Sequence, residues 1–161
     1  MGKWIFLDID FVLNSRDWNR FYRDNDFKYN PDVDPDIDFR AVERINKLVE
    51  ITGAEIILSS SWRFYLLETA NRLSHSGLKY NIKDIIKGEE CIYHEDWPDV
   101  KHPTRSDLIA DFIEENPCED YVILDDIDDM TDEQQPHFIK TNQEYGFTDT
   151  DLEKAIRILS R

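Results

Sequence analysis

Lys3-Trp4-Ile5-Phe6-Leu7-Asp8-Ile9-Asp10-Phe11-Val12-Leu13-Asn14 is the stretch on which the fold turns. Its apolar run predicts a buried strand, and the run breaks off into two carboxylates spaced i, i+2. That spacing projects both side chains to one side of a strand. Holding Asp8 and Asp10 together at a strand end costs repulsion unless a cation or a shared proton relieves it. A bound metal is the first expectation.

Two later stretches repeat the pattern. Ala54-Glu55-Ile56-Ile57-Leu58 reads as a second buried strand and ends in Ser59-Ser60-Ser61-Trp62-Arg63. Hydroxyls at a strand end, just before a helix, offer donors and helix-start amides to an anion. A plain helix N-cap is the simpler role, and the two are compatible, since one serine caps while another binds. Tyr121-Val122-Ile123-Leu124 then runs into Asp125-Asp126-Ile127-Asp128-Asp129. Polar groups at successive strand ends mark a site outside the carboxyl edge of a parallel sheet.

Helical patterns separate these strands. One helix follows Pro35, with Asp36 or Asp38 as N-cap, Phe39, Val42, Ile45, Leu48 and Val49 inward, and Gly53 as its stop. The next runs from about Phe64 to His75, with Leu66, Leu67, Ala70 and Leu73 inward and Gly77 beyond. Thr104-Arg105-Ser106-Asp107 opens a third with capping-box spacing. His137-Phe138-Ile139-Lys140 suggests a last strand, and Phe147-Thr148-Asp149 leads into a helix burying Leu152, Ile156 and Leu159. The alternation implies an α/β, doubly wound layer structure with a parallel central sheet.

Composition bounds the reading further. At 161 residues, 40% hydrophobic and 34% charged, the chain fits one domain spanning 1–161. A net charge of -16 argues against an extended nucleic-acid-binding surface, which needs a broad basic face, but not against one local phosphate site. Cys91 and Cys118 form no metal or redox pair. With no leader pattern and no segment long enough to span a bilayer, a cytoplasmic location is expected and membrane association is not. Five glycines, with neither a P-loop nor GxGxxG, leave backbone cradling of nucleotide phosphates unsupported.

In Asp8-Ile9-Asp10-Phe11-Val12, the chain resembles motif I of the haloacid dehalogenase (HAD) superfamily of phosphohydrolases. Ser59 resembles motif II, Arg105 or Lys101 the motif III cation, and Asp125-Asp126 motif IV in its Asp-Asp form. The resemblance follows the whole chain in order and implies a three-layer, Rossmann-like core. It implies that Asp8 attacks phosphorus to give an aspartyl-phosphate, and that Asp10 protonates the leaving oxygen and then activates water. It places Mg²⁺ among Asp8, the main-chain carbonyl of Asp10, and Asp126, with Asp125 in support and Asp129 as an outer group. Ser59, with Ser60 beside it, and Arg105 or Lys101 would hold the phosphoryl oxygens. The commonest family form has glycine where this chain has Phe11, which leaves rate and substrate size open. Phe11, Arg16 and Arg63 are candidate substrate contacts.

The remaining segments are small. Residues 15–35 leave roughly two dozen positions for elaboration before the first core helix, well below a domain, and 78–103 is a second modest insertion. A nearly capless site favours phosphate on a macromolecule or chain end, and Leu-Ser-Ser-Ser-Trp-Arg with Leu-Asp-Asp resembles HAD domains of RNA-repair systems and polynucleotide phosphatases. The expected partner is a phosphorylated substrate such as a polynucleotide end; the oligomeric state is not read from sequence. Arg16, Arg20 and Arg23 opposite Trp18, Phe21 and Tyr22 predict a short amphipathic helix, read first as a packed aromatic face and second as a basic lip. The aspartates at 32, 34, 36 and 38 lack the glycine and closing glutamate of a calcium loop and read as a solvated acidic loop. His94, Asp96, Asp99 and His102 lack zinc-site spacing. Three alternatives compete: an inactive HAD-fold metal-binding or interaction domain, a small-metabolite or nucleotide phosphatase, and a phosphoacceptor receiver using Lys140.

Overall fold

The computed structural model describes residues 2–88 and 103–161. Five parallel strands form one sheet: β1 (Lys3–Leu7), β2 (Glu55–Leu58), β3 (Ile82–Ile85), β4 (Asp120–Asp125) and β5 (Phe138–Lys140). Their order is β3-β2-β1-β4-β5. The chain thus winds outward from β1 in one direction and then returns to pair β4 on its other side. Such a reversal opens a crevice beyond the carboxyl ends of the two strands that flank it, here β1 and β4.

Helices cover both faces of the sheet, in the expected three-layer, Rossmann-like arrangement. Ile5, Leu7, Ile56, Leu58, Val122 and Leu124 face a core shared with α2 (Phe39–Thr52), α3 (Leu66–His75) and α5 (Asp149–Leu159). Phe6, Ile57 and Ile123 point the other way, onto Leu108, Ile109 and Phe112 of α4 (Arg105–Glu115). Strand side chains alternate between faces, so the residue after each of Leu7, Leu58 and Leu124 continues the α4 face.

Local chemistry sets the helix ends. Asp38, not Asp36, caps α2 by accepting from the Arg40 amide, and Gly53 closes it at φ +68°. Thr104 and Thr148 each form a full capping box, with Asp107 and Asp151. The structure departs from expectation at α3. Ser60 caps a 3₁₀ turn over Ser61–Tyr65, and the α-helix starts only at Leu66. A 3₁₀ turn holds about three residues per turn rather than 3.6, so the apolar stripe loses phase. Leu66 and Leu67 face solvent, at 38% and 78% exposure, and Thr69 and Leu73 take the buried side. In α5, Ile158 is buried where Ile156 is only partly so.

Between β1 and α2 stand only α1 (Arg16–Asp24) and one 3₁₀ turn, Phe27–Tyr29. Buried Trp18 packs against Phe21, Tyr22, Phe27 and Phe39, so α1 is a packed aromatic face. Arg20 pairs with Glu144 and Asp17 rather than forming a basic lip. The acidic loop is consumed structurally: Asp34 and Asp36 hold Arg72, and Asp38 holds Arg40. Lys101, Cys91 and the histidine–aspartate set 94–102 lie outside the described residues. No helix among the described residues is long and apolar enough to cross a membrane.

Candidate active site

Asp8 emerges from β1 beside Asp125, the last residue of β4. The register Leu7↔Leu124 and Leu7↔Leu58 sets Asp8, Asp125 and Ser59 side by side. The ladders run into the site, with the Asp8 amide donating to Leu124 O at 3.0 Å and the Ser59 amide to Leu7 O at 3.0 Å. All three residues are buried, at 3%, 0% and 0% exposure. Half-buried Asp126 completes the group: carboxylate oxygens of Asp8, Asp125 and Asp126 lie within 4.8 Å of one another. Asp125, expected behind Asp126, is a full member of this cluster, and exposed Asp129 is not.

Among the described residues, one cation offsets the negative charge. Arg105, at the start of α4, donates from Nη1 to Asp125 Oδ2 at 2.6 Å and stands 3.2 Å from Asp8 Oδ2. The capping box at Thr104 fixes the helix start, and buried Gln134 donates to Ser106 O at 2.9 Å, tying the β4–β5 connection to the same turn. Even so, burial and then the Asp125 carboxylate raise the Asp8 pKa from 3.8 to about 7, against the pull of Arg105. Burial likewise raises that of Asp125, with Arg105 opposing. Among the described residues, three converging carboxylates with one guanidinium form an under-neutralised pocket. An all-oxygen donor set of this kind suits a hard divalent cation such as Mg²⁺. Ser59 adds a second sign of fit, since its fully buried Oγ finds no hydrogen-bond partner among the described residues. Such a group normally has one.

Asp10 sits apart at the exposed mouth. Its Oδ1 accepts from Asn14 Nδ2 at 3.3 Å, and its Oδ2 accepts from Trp62 Nε1 at 3.2 Å. A carboxylate in water, oriented by two neutral donors, is placed to exchange protons with solvent and with a leaving group. Ser60 sits near Asp8, where its hydroxyl helps pull the Asp8 pKa down, and that hydroxyl accepts from the Trp62 amide at 3.3 Å. Arg63 turns inward, donating to the carbonyls of Ser59, Ser60 and Gly88 at 3.3, 3.0 and 2.9 Å. It thereby fixes the loop that carries the serines. Arg16 is exposed on α1, with its amide bonded to Gln143 O at 3.1 Å.

Phe11 occupies a left-handed backbone conformation, φ +57°. A side chain there is strained, which is the physical reason glycine suits this position. The conformation is held from both sides: the Phe11 amide donates to Asn14 Oδ1 at 2.7 Å, and Thr141 Oγ1 donates to Phe11 O at 2.8 Å. Gly146 packs beneath, where an added Cβ would stand 2.8 Å from Val12 O. Asn14, Trp62, Thr141 and Gln143, whose Nε2 donates to Asp126 Oδ2 at 2.9 Å, are site residues that sequence reasoning missed.

A family model described as the HAD domain in Swiss Army Knife RNA repair proteins matches residues 4–152. The chain belongs to this family. The match spans β1 through the start of α5 and so includes every strand end that builds the cluster. No curated protein and no solved structure matches the chain. The chain therefore carries a phosphatase-like HAD fold, and an acidic cluster of Asp8, Asp125 and Asp126 is present.

Proposed function

We propose that this HAD domain is a Mg²⁺-dependent phosphomonoester hydrolase that works through an aspartyl-phosphate on Asp8. The observation that carries the reading is the convergence of Asp8, Asp125 and Asp126 within 4.8 Å at the sheet's switch point, with Arg105 against two of them. Asp8, Asp125 and Asp126 would hold the ion, which neutralises charge between the attacking carboxylate and the phosphoryl oxygens when bound.

Asp8 Oδ forms the bond to phosphorus as the bond to the leaving oxygen breaks, and Asp10 gives that oxygen its proton. Water then attacks phosphorus, Asp10 takes the water's proton, and the Asp8 carboxylate is released with inorganic phosphate. Arg105 and the Ser59 hydroxyl stabilise the phosphoryl oxygens as charge develops. Among the described residues the segment between β1 and α2 adds only α1 and a 3₁₀ turn and no cap domain, which favours a phosphate on a chain end such as a polynucleotide terminus. The net charge of -16 disfavours grip on an extended strand. A cytoplasmic setting belongs to the same proposal, in line with the free Cys118 thiol.

The test is phosphate release with Mg²⁺ from a panel of mononucleotides, polynucleotide ends, phosphopeptides and sugar phosphates. Release that needs the metal and is strongest on chain-end or open substrates supports the reading. No release from any of them refutes it and favours a metal-binding domain without turnover, which the strained Phe11 would also suit.

A further inference from the structure

Trp62 faces two ways. Its indole N–H holds Asp10, and its ring lines a cavity of about 470 Å³ on the outer side of the 3₁₀ turn, with Ser61, Phe64, Tyr65, Glu68, Thr69 and Arg72. That volume lies within the range of small-ligand sites, about 300–1,000 Å³. Trp62 joins the cavity lining to Asp10, the group that protonates the leaving oxygen in the proposed reaction. A body attached to that oxygen and directed past Trp62 would meet this cavity.

The lining states what that body is. Tyr65 and Phe64 are 71% and 54% exposed, an unusual outlay of aromatic surface beside a polar site. The Arg72 guanidinium lies over the Trp62 ring at 4.8 Å, and that of Arg63 over Phe64 at 4.5 Å. Arg72 is itself neutralised by Asp34 and Asp36, both at 2.7 Å. Glu68 adds a negative charge, so the described lining offers no net positive field for a second phosphate. Ser61 and Glu68 supply hydrogen-bonding groups at the rim. Flat apolar faces, polar edges and no surplus cation match a nucleobase.

We propose that this cavity is a base-stacking subsite that holds the terminal nucleoside of the substrate, with Tyr65 and Trp62 as its faces. The proposal rests on the phosphatase reading for its direction, but binding of a base does not. The 3₁₀ turn that carries the subsite is capped by Ser60, the neighbour of Ser59, which contacts the phosphoryl group in the proposed reaction. Base and phosphate are thus gripped by one local unit.

The experiment compares kcat/KM of the full chain with Mg²⁺ on a nucleoside monophosphate, a terminally phosphorylated oligonucleotide, its abasic-end counterpart, and ribose 5-phosphate. The wild-type chain should prefer base-bearing ends, and the ratio should fall about tenfold in Tyr65→Ala, in line with the loss of one stacking partner. Tyr65→Phe should restore it, and Leu67→Ala, which removes exposed apolar surface outside the cavity, should leave the ratio as it is. A preference shared by mononucleotide and oligonucleotide identifies the nucleoside as the recognised unit, while one confined to the oligonucleotide locates it in the chain and overturns the subsite. A wild-type ratio near one, or a ratio unmoved by Tyr65→Ala, also overturns it. If no substrate turns over, adenosine titration followed by tryptophan fluorescence decides. Saturable quenching in the wild type that weakens in Tyr65→Ala upholds the subsite while the phosphatase reading falls, and no quenching at millimolar adenosine removes both.

Discussion

Replacing Asp8 by asparagine should stabilise the metal-free HAD domain at pH 8, although it removes the proposed nucleophile. Burial and the neighbouring Asp125 raise the Asp8 pKa from 3.8 to about 7, so the fold favours the protonated form. The sign follows from linkage: Asp8 contributes stability fully below its unfolded value, and that contribution is lost as pH rises through about 7. Above both values the ionised carboxylate costs the fold at most about 4 kcal/mol, at 1.36 kcal/mol per pH unit. The substituted carboxamide would carry no charge and keep the size. Urea unfolding in EDTA should show a gain of roughly 2–4 kcal/mol at pH 8, shrinking to about a third at pH 5. Saturating Mg²⁺ should reverse the order, because an ion that binds only the folded state stabilises the wild type by mass action. A variant less stable than wild type at pH 8 without metal, or a difference that ignores pH, would refute the electrostatic reasoning.

Three further outcomes follow from individual contacts. Phe11→Gly should relieve the left-handed backbone at φ +57° and raise the urea midpoint, by about 1 kcal/mol in stability; a lower midpoint would show that the phenyl ring's packing outweighs the strain. Gln143→Ala frees the Asp126 carboxylate from its 2.9 Å donor and should weaken Mg²⁺ binding about tenfold by calorimetry, with little change in fold stability. Arg105→Ala leaves two buried carboxylates facing each other without their shared cation. It should cost about 3 kcal/mol in the metal-free protein and lower kcat/KM by at least about a hundredfold, while Arg105→Lys recovers part of each.

Much of the site was legible because each strand breaks abruptly from apolar to polar. Asp8, Ser59 and Asp125 follow Leu7, Leu58 and Leu124 at matched register, and matched register is what brings them together. The helix caps at Asp38, Thr104 and Thr148 were readable for a similar reason, as each bonds an amide within three residues. Long-range partners left no such trace. Thr141 reaches Phe11, Gln143 reaches Asp126 and Trp62 reaches Asp10 across different elements. The exposed Leu66-Leu67 pair misled because periodicity assumes a uniform helix, whereas the turn over Ser61–Tyr65 is 3₁₀. Arg63 read as a candidate substrate contact from its type and place, and only the fold shows its guanidinium spent on three main-chain carbonyls.

The central claim, that Asp8 itself takes the phosphoryl group, is tested most directly in an Asp10→Asn background with p-nitrophenyl phosphate and Mg²⁺. Nitrophenolate departs without a proton, so loss of Asp10 should slow only hydrolysis of the intermediate. The account predicts a burst near one nitrophenolate per chain and a phosphate recovered on the Asp8 peptide by mass spectrometry. Turnover with no burst, no label and the same rate in Asp8→Asn would contradict it.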